Sequence, residues 1–271
     1  MRNVGSIRSR LRDVQRITVK VGTSTLTYDS GKLNLDRMEH LVRELADLAH
    51  SGHQVILVSS GAIAVGRSRL RVDHRPKTTP EKQALAAVGQ GILLQTYEKF
   101  FAEYGLIVGQ VLLTKADVDN GERYENAVNT FETLLRYEVI PIVNENDTVA
   151  TEEIEFGDND TLSAYVAKLA QADLLILLSD IEGLYTADPR QQPEAHLIPL
   201  VPEITAEIEE LASGSGSDLG VGGMVTKIEA ARIAGEAGIP MIIASGEKPG
   251  LIKAAAAGEE VGTLFLPPTW R

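Results

Sequence analysis

The sequence predicts an α/β fold, a three-layer α/β/α sandwich built on a central, mostly parallel sheet. The order of the predicted elements along the chain is the observation that predicts it. Short apolar segments of strand composition alternate with helical segments along nearly all of the 271 residues. Strands that are separated by helices are joined by right-handed crossovers, which give a parallel sheet covered on both faces. The length and the hydrophobic content of 44% are sufficient for a substantial core, and we expect a single domain, 1–271.

The elements of the first half follow from apolar periodicity and from capping residues. Leu41, Leu45 and Leu48 recur at helix spacing, and Thr79 precedes a proline where a helix can begin. That helix contains a Gly-Gln-Gly segment at 89–91, where we expect an interruption. The predicted strands are 17–21, 55–58, 107–113 and 139–143, and the predicted helices are 35–50, about 79–104 and 122–137.

The second half continues the same alternation. Asp158 or Asn159 can cap a helix that runs to Gln171, and Gly238 is a typical glycine stop. The predicted helices are 159–171, 224–237 and 251–257, and the predicted strands are 174–178, 241–244 and 263–266. Within the single domain we expect two approximate lobes, 1–170 and 171–271.

Composition excludes several classes of protein. The formal net charge of −12 argues against general nucleic-acid binding, which needs a basic surface. The absence of cysteine excludes disulfides, thiolate metal sites and cysteine nucleophiles, and it fits a cytoplasmic location. No apolar stretch approaches the roughly 18 residues of a membrane span, so we expect no membrane association. The five histidines are scattered, and surface or structural roles are expected for them.

Two lysines stand in unusual positions. Lys20 lies in a strand-like run, and because an unpaired buried ammonium is costly, it either points into a site or faces water from an edge strand. Lys227 lies in the first turn of a helix, after the glycines of 220–223. The positive end of the helix dipole disfavours a lysine there, so an anion is expected close to it. The preceding Ser-Gly segment at 213–217 is either a loop that closes over a ligand or a plain linker.

Short polar residues follow several predicted strands. The run 144–161 follows one strand and contains seven acidic residues in eighteen positions. Ser60 follows the strand 55–58 in a turn that can hold an anion or can be an ordinary turn. Ser179 and Asp180 follow the most apolar strand, as site residues or as a plain loop. Ligands of parallel sheets bind beyond the carboxyl ends of the strands. Together with the lysines, these residues predict a phosphoryl-transfer site.

Six segments carry a resemblance to a known family. They are VKVGTSTLT at 19–27, VSSGAIAVG at 58–66, VNENDTVATEE at 143–153, FGDNDTLSA at 156–164, LLSDIEGLYTADPR at 177–190 and GVGGMVTKIEAARIA at 220–234. With these segments the chain resembles the amino acid kinase superfamily and, within it, the family of glutamate 5-kinases. The resemblance extends over almost the whole chain and implies the amino acid kinase fold, with glutamate bound by the first lobe and the nucleotide by the second.

The resemblance also implies roles for single residues. Ser60, Asp147 and Asn159 would bind glutamate. Lys20 and Lys227 would contact the transferring phosphoryl group, and Asp160 would orient both lysines. The implied nucleotide-binding residues are Lys20, Ser179, Asp180, Gly222, Gly223 and Lys227. Ser179 stands where the family pattern has threonine, a change that keeps the hydroxyl. No metal ligand is assigned, because Mg²⁺ would be held mainly through the phosphates of ATP.

The implied reaction is the ATP-dependent phosphorylation of the γ-carboxylate of L-glutamate to L-glutamyl 5-phosphate, the first step of proline biosynthesis. ATP and Mg²⁺ are the implied cofactors, proline is a candidate feedback inhibitor, and a homo-oligomer is expected. Many members of the family carry a C-terminal PUA domain, and we expect a form without it because the sequence ends at Arg271.

Other functions stay open at this point. A kinase of the same fold could act on aspartate, N-acetylglutamate, carbamate or UMP, but Asp147 favours a substrate with a free α-ammonium group. A non-catalytic sensor on a kinase scaffold would not need Lys20, Lys227 and Asp160 together. A Rossmann-type dehydrogenase lacks its glycine fingerprint here, and the spacing of a Walker loop is absent as well.

Overall fold

The computed structural model describes residues 4–150, 156, 158–189, 191–214 and 223–270. The chain divides into two compact units. We call Val21–Phe156 the central unit, and Met1–Lys20 with Gly157–Arg271 the terminal unit. The assignment of glutamate and nucleotide to lobes 1–170 and 171–271 stays a prediction.

Strands and helices alternate through the described residues. The strands are β1 (Arg16–Val21), β2 (Gln54–Ser59), β3 (Ile107–Leu113), β4 (Val139–Glu145), β5 (Leu174–Ser179), β6 (Leu200–Val201), β7 (Met241–Ser245) and β8 (Thr263–Phe265). The helices are α1 (Val4–Arg8), α2 (Thr23–Leu26), α3 (Leu35–His50), α4 (Ala62–Leu70), α5 (Thr79–Ala102), α6 (Lys115–Asp119), α7 (Gly121–Arg136), α8 (Asn159–Leu169), α9 (Ala206–Gly214), α10 (Met224–Glu236) and α11 (Leu251–Ala256). Short 3₁₀ helices lie at Ser9–Asp13 and Pro268–Trp270.

The central unit contains three parallel strands in the order β3-β4-β2. Val143 of β4 lies opposite both Val58 and Val111, so the carboxyl ends of the three strands reach the same edge. The side chains of β2 and β4 are almost entirely buried, which explains their continuous apolar composition.

The terminal unit has the strand order β1-β5-β7-β8-β6. The pairs β5–β7 and β6–β8 are parallel, and β7–β8 is antiparallel. All six residues of β5 are buried, and its last residue, Ser179, lies opposite Ser245 of β7. The predicted fold class, α/β with a mostly parallel sheet flanked by helices, is confirmed.

Local signals explain where the long helices begin. Asn34 caps α3, because its side chain accepts a hydrogen bond from the backbone N–H of Arg37 at 3.1 Å. A capping box of Thr78 and Glu81 begins α5. The backbone N–H groups of Lys77 and Thr78 donate to this carboxylate and lower the pKa of Glu81 to about 2.

The predicted interruption of α5 at 89–91 is wrong, since the helix runs without a break to Ala102. The structural reason is the close packing of α4 on α5. A Cβ on Gly89 would lie 1.8 Å from the carbonyl oxygen of Ala62, and one on Gly66 would lie 1.9 Å from that of Leu85. The two glycines are therefore needed for the close contact of the helices. A Cβ on Gly91 would meet nothing within 4 Å, so this glycine is not needed for the contact between the helices.

Across the described ranges, which omit 1–3, 151–155, 157, 190, 215–222 and 271, we find no helix with the length and apolarity that a membrane span requires.

Candidate active site

Three of the predicted residues form one buried charged cluster in the terminal unit. The Nζ of Lys20 lies 2.5 Å from Oδ1 of Asp160, and the Nζ of Lys227 donates to Oδ2 of the same carboxylate at 2.9 Å. The three residues are only 7%, 1% and 6% exposed, in the order Lys20, Asp160, Lys227. The structure thus excludes the alternative of a water-facing Lys20. We call these residues the Lys-Asp-Lys cluster.

Each member of the cluster is held by a regular element. Lys20 is the fifth residue of β1, where all residues after Arg16 are buried. Asp160 is the second residue of α8, which Asp158 caps by accepting from the backbone N–H of Thr161 at 2.8 Å. Lys227 lies in the first turn of α10. Rigid strands and helix starts therefore fix the positions of all three charged groups.

The cluster carries a net positive charge, because two ammonium groups share one carboxylate. Burial opposes ionisation of Asp160, but the charges of Lys20 and Lys227 outweigh it and hold the pKa of this carboxyl below its ordinary value. The anion expected near Lys227 is thus a carboxylate of the same chain. Two ammonium groups held close together beside one carboxylate suit an anionic ligand.

A further contact of the cluster was not predicted from the sequence. The hydroxyl of Thr226 lies 2.9 Å from Oδ2 of Asp160 and 2.8 Å from the carbonyl oxygen of Gly223. Gly223 is the N-cap of α10, so Thr226 connects the start of this helix with the cluster. Its position directly before Lys227 was the only signal in the sequence, and such a threonine is unremarkable without the fold.

The predicted nucleotide-binding residues Ser179, Asp180 and Gly223 lie in the terminal unit as well. Ser179 ends β5, is buried, and donates its hydroxyl hydrogen to Oδ1 of Asp180 at 3.1 Å. Its carbonyl accepts from the backbone N–H of Gly246, at the end of the neighbouring β7, at 2.7 Å. Gly223 precedes α10, whereas Gly222 and most of the Ser-Gly segment 213–217 lie outside the described residues. The nucleotide roles of these residues stay predictions.

Ser60 lies in the central unit, directly after β2. Its backbone N–H donates to the carbonyl of Val21 at 3.1 Å. The next residue, Gly61, has φ of 103° and begins α4 as its N-cap, a conformation that favours glycine. Ser59 is buried and its hydroxyl lies 2.8 Å from that of Tyr97 in α5. The turn that carries Ser60 is therefore anchored on both sides.

Asp147 lies two residues beyond β4, in a turn that the backbone holds closed. The N–H of Asn146 donates to the carbonyl of Leu113 at 2.8 Å, and the N–H of Ala150 donates to the carbonyl of Asn146 at 3.0 Å. From α5, the side chain of Gln83 donates to the carbonyl of Ala150 at 3.1 Å. Because β2 and β4 are adjacent parallel strands, Asp147 and Ser60 follow the same edge of the central sheet.

Asn159 is the first residue of α8 in the terminal unit, beside Asp160, and it is partly buried. On its other side, burial raises the pKa of Asp158, and the charge of Asp160 acts in the same direction. The glutamate-binding roles of Asn159, Ser60 and Asp147 stay predictions.

The described part of the chain, with its gaps at 151–155, 157, 190 and 215–222, holds no group of three or more His, Asp or Glu residues that could bind a metal. A Mg²⁺ ion carried by nucleotide phosphates needs no such group, because it keeps several waters and uses few protein ligands. That Mg²⁺ is held mainly through the phosphates of ATP stays a prediction.

Comparison with curated proteins gives close relatives. The chain is 58% identical over 260 residues to the glutamate 5-kinase of Moorella thermoacetica, and the match covers 96% of this chain and 69% of that protein. It is 59% identical over 255 residues to the glutamate 5-kinase of Clostridium tetani, covering 94% of this chain and 96% of that protein.

Solved structures share the fold at low sequence identity. The UMP kinase of Bacillus anthracis matches with a TM-score of 0.63 at 17% identity, over 94% of this chain and 97% of the other. An isopentenyl phosphate kinase matches with a TM-score of 0.65 at 18% identity, over 93% and 100%. At these identities the likeness concerns the fold alone. The profile of the Amino acid kinase family matches residues 15–245, most of the chain. The chain therefore belongs to the amino acid kinase family.

Proposed function

We propose that this chain transfers the γ-phosphoryl group of ATP to the γ-carboxylate of L-glutamate. The product is L-glutamyl 5-phosphate, and the reaction is the first step of proline biosynthesis. Membership of the amino acid kinase family and the high identity to proteins named glutamate 5-kinase support this proposal. The observation that carries the chemistry is the Lys-Asp-Lys cluster, in which two buried ammonium groups share one carboxylate.

The reaction needs charge neutralisation more than proton transfer. A glutamate γ-carboxylate has an ordinary pKa near 4.3 and is ionised at neutral pH, so it attacks the γ-phosphorus without a general base. A bond forms between the carboxylate oxygen and phosphorus, the bond from phosphorus to the β,γ-bridging oxygen breaks, and ADP leaves. The obstacle is the approach of one anion to another.

Lys20 and Lys227 supply the positive charge for this approach. Fixed ammonium groups in a buried site stabilise the charge that develops on the transferring group, and they need little reorganisation during the reaction. Asp160 lies 2.5 Å from Lys20 and 2.9 Å from Lys227, which makes it the residue that orients both lysines. No histidine is needed, in agreement with the scattered histidines of the sequence.

For the acceptor, we propose that Ser60, Asp147 and Asn159 bind glutamate, with Asp147 paired with the α-ammonium group. A closed turn supports Asp147, and the N-cap of α4 follows Ser60, so both side chains have fixed backbones. An acetylated amine or a nucleotide would have no use for a carboxylate at position 147. This difference separates glutamate and aspartate from the other candidate substrates.

For the donor, we propose that Ser179, Asp180, Gly222 and Gly223 bind ATP together with the two lysines. Mg²⁺ bound to the phosphates would neutralise part of their charge. We also propose a cytoplasmic location, a homo-oligomeric state and feedback inhibition by proline. These three proposals rest on the composition or on the family resemblance.

The test is turnover in the presence of hydroxylamine, which traps an acyl phosphate as a hydroxamate. The purified protein is incubated with ATP, Mg²⁺ and one acceptor at a time: L-glutamate, L-aspartate, N-acetyl-L-glutamate, carbamate or UMP. We expect ADP and hydroxamate in equal amounts with L-glutamate. N-acetyl-L-glutamate is the matched control, because it keeps the γ-carboxylate and lacks only the α-ammonium group.

The outcome is decided by which acceptor gives hydroxamate. ADP release with L-glutamate but no hydroxamate would mean that phosphate goes to water or to another group. Faster hydroxamate formation with L-aspartate or N-acetyl-L-glutamate would show that this compound, and not L-glutamate, is the acceptor. The reaction would still be the phosphorylation of a carboxylate. Stoichiometric ADP formation with UMP and none with any acid would refute a carboxylate acceptor.

A further inference from the structure

The hydroxyl of Thr226 stands between two acceptors and has a single hydrogen to give. Oδ2 of Asp160 is 2.9 Å away, and the carbonyl oxygen of Gly223 is 2.8 Å away. Both distances are those of good hydrogen bonds, so the hydrogen is either shared or given to one acceptor at a time. This choice couples the start of α10 to the carboxylate of the Lys-Asp-Lys cluster.

The balance between the two acceptors depends on the lysines. Oδ2 of Asp160 also accepts from Lys227 at 2.9 Å, and Asp160 is 1% exposed. When a phosphoryl group engages the ammonium groups, the carboxylate shares them with a second anion. A buried carboxylate that loses part of the hydrogen bonding and positive charge of its lysine partners needs another donor, because water does not reach it. Thr226 is the donor already within reach.

We propose that Thr226 is a positioning residue, whose hydroxyl holds the Asp160 carboxylate in place while Lys20 and Lys227 engage the transferring phosphoryl group. The inference rests on the proposed function and deepens it. Through Asp160 the hydroxyl fixes the direction of both ammonium groups at the moment when their charge is needed. Its loss therefore lowers turnover and leaves glutamate binding, which involves other residues, almost unchanged.

The variants that test this proposal are Thr226→Val and Thr226→Ser. Valine keeps the shape of the side chain and removes the hydroxyl, whereas serine keeps the hydroxyl. Loss of a hydrogen bond to a charged group predicts that kcat falls about tenfold to hundredfold in the valine variant. The KM for glutamate should stay within about threefold, and serine should restore kcat to within about threefold. Thr226→Ala is the second hydroxyl-free variant, in case valine disturbs the helix start.

A matched control is Thr130→Val in α7. The hydroxyl of Thr130 donates to the carbonyl of Asn126 at 2.8 Å on an exposed helix face, so the same chemical change is made away from the cluster. We expect wild-type turnover from it. Thermal unfolding of all variants separates a loss of fold from a loss of positioning.

A double-mutant cycle with Asp160→Asn identifies the acceptor through which Thr226 acts. If the hydroxyl acts on the carboxylate, Thr226→Val has little further effect once Asp160 is replaced. If the hydroxyl acts only through the carbonyl of Gly223, Thr226→Val lowers kcat by the same factor with Asp160 as with asparagine at that position, and the proposal is overturned. Slow variants are followed by the accumulation of hydroxamate over hours.

The wild type in the same assay keeps the two proposals distinguishable. Hydroxamate from the wild type with unchanged kcat in both Thr226→Val and Thr226→Ala overturns the role of Thr226 and leaves the proposed function intact. A loss of kcat that serine does not restore overturns it too, since the hydroxyl is then not the group at work. Absence of hydroxamate from the wild type refutes the proposed function and this inference with it.

Discussion

The charge balance of the Lys-Asp-Lys cluster predicts that its members differ in how they affect stability and activity. Asp160 is the only carboxylate that the cluster contains, and it faces two ammonium groups that are 7% and 6% exposed. Replacement by asparagine keeps the size of the side chain but leaves two buried cations close together. Removal of one partner from a buried ion pair costs about 3–5 kcal/mol. We therefore expect Asp160→Asn to lower the free energy of unfolding by about this amount.

Lys227→Met should change the free energy of unfolding only slightly and lower turnover strongly. Asp160 keeps Lys20 at 2.5 Å, so a neutral pair remains, and methionine fills the space of the lysine stem. We expect a change of less than about 1.5 kcal/mol in the free energy of unfolding. Turnover should nevertheless fall by about 10² to 10³, the usual cost of losing one fixed charge at a developing anion. Lys20→Met should show the same combination.

The assay uses the single tryptophan of the chain. Trp270 lies in the terminal unit with the cluster, and the guanidinium of Arg10 stacks 4.0 Å from its ring centroid. Its fluorescence during urea unfolding reports the stability of the unit that contains Asp160, and hydroxamate formation reports turnover. If Asp160→Asn is as stable as the wild type while Lys227→Met loses more than about 3 kcal/mol, the argument from charge balance is refuted.

The same structure gives three further predictions. Asp147→Ala should raise the KM for glutamate by about 10- to 100-fold with a smaller effect on kcat, and an unchanged KM in steady-state kinetics would remove Asp147 from the glutamate site. Gly89→Ala should lower the melting temperature, because its Cβ would lie 1.8 Å from the carbonyl oxygen of Ala62. Gly91→Ala has open space in the same helix and should raise the free energy of unfolding by about 1 kcal/mol. Equal melting temperatures of the two variants would contradict the close packing of α4 on α5. Because the two lysines lower the folded-state pKa of Asp160, its charge stabilises the fold above about pH 4, and this contribution is lost as the pH falls through the folded-state value. The difference in unfolding free energy between the wild type and Asp160→Asn should therefore shrink below about pH 4, and a constant difference in urea titrations would show that the charge is not the cause.

The elements predicted from the sequence agree with the structure where periodicity or capping is strong. The strand 107–113 has the same bounds as β3, and Asp158 caps α8 as one of the two expected residues. Short elements such as α2, α6 and β6 were not predicted, because two to five residues contain too little periodicity. The error at Gly89 has a different origin. A glycine weakens an isolated helix, but here the contact with α4 requires it, and that contact is invisible along the chain.

The candidate site was predicted in parts. The sequence identified Lys20, Lys227 and Asp160 through a lysine in a strand, a lysine at a helix start and a family resemblance. Thr226 was missed, because a threonine before a lysine has many ordinary explanations. Its two acceptors lie three and 66 positions away along the chain, and the second of these contacts exists only in the folded terminal unit.

By itself, the sequence determined the alternation of strands and helices, the absence of cysteine chemistry and the presence of lysines in costly positions, since these depend on composition and on neighbours within a few residues. Tertiary structure alone decided that both lysines, although buried, meet one carboxylate, 67 positions from Lys227. The physical reason is that local preferences fix the direction of the backbone, whereas the electrostatic energy of a buried charge depends on which groups packing brings within a few ångströms.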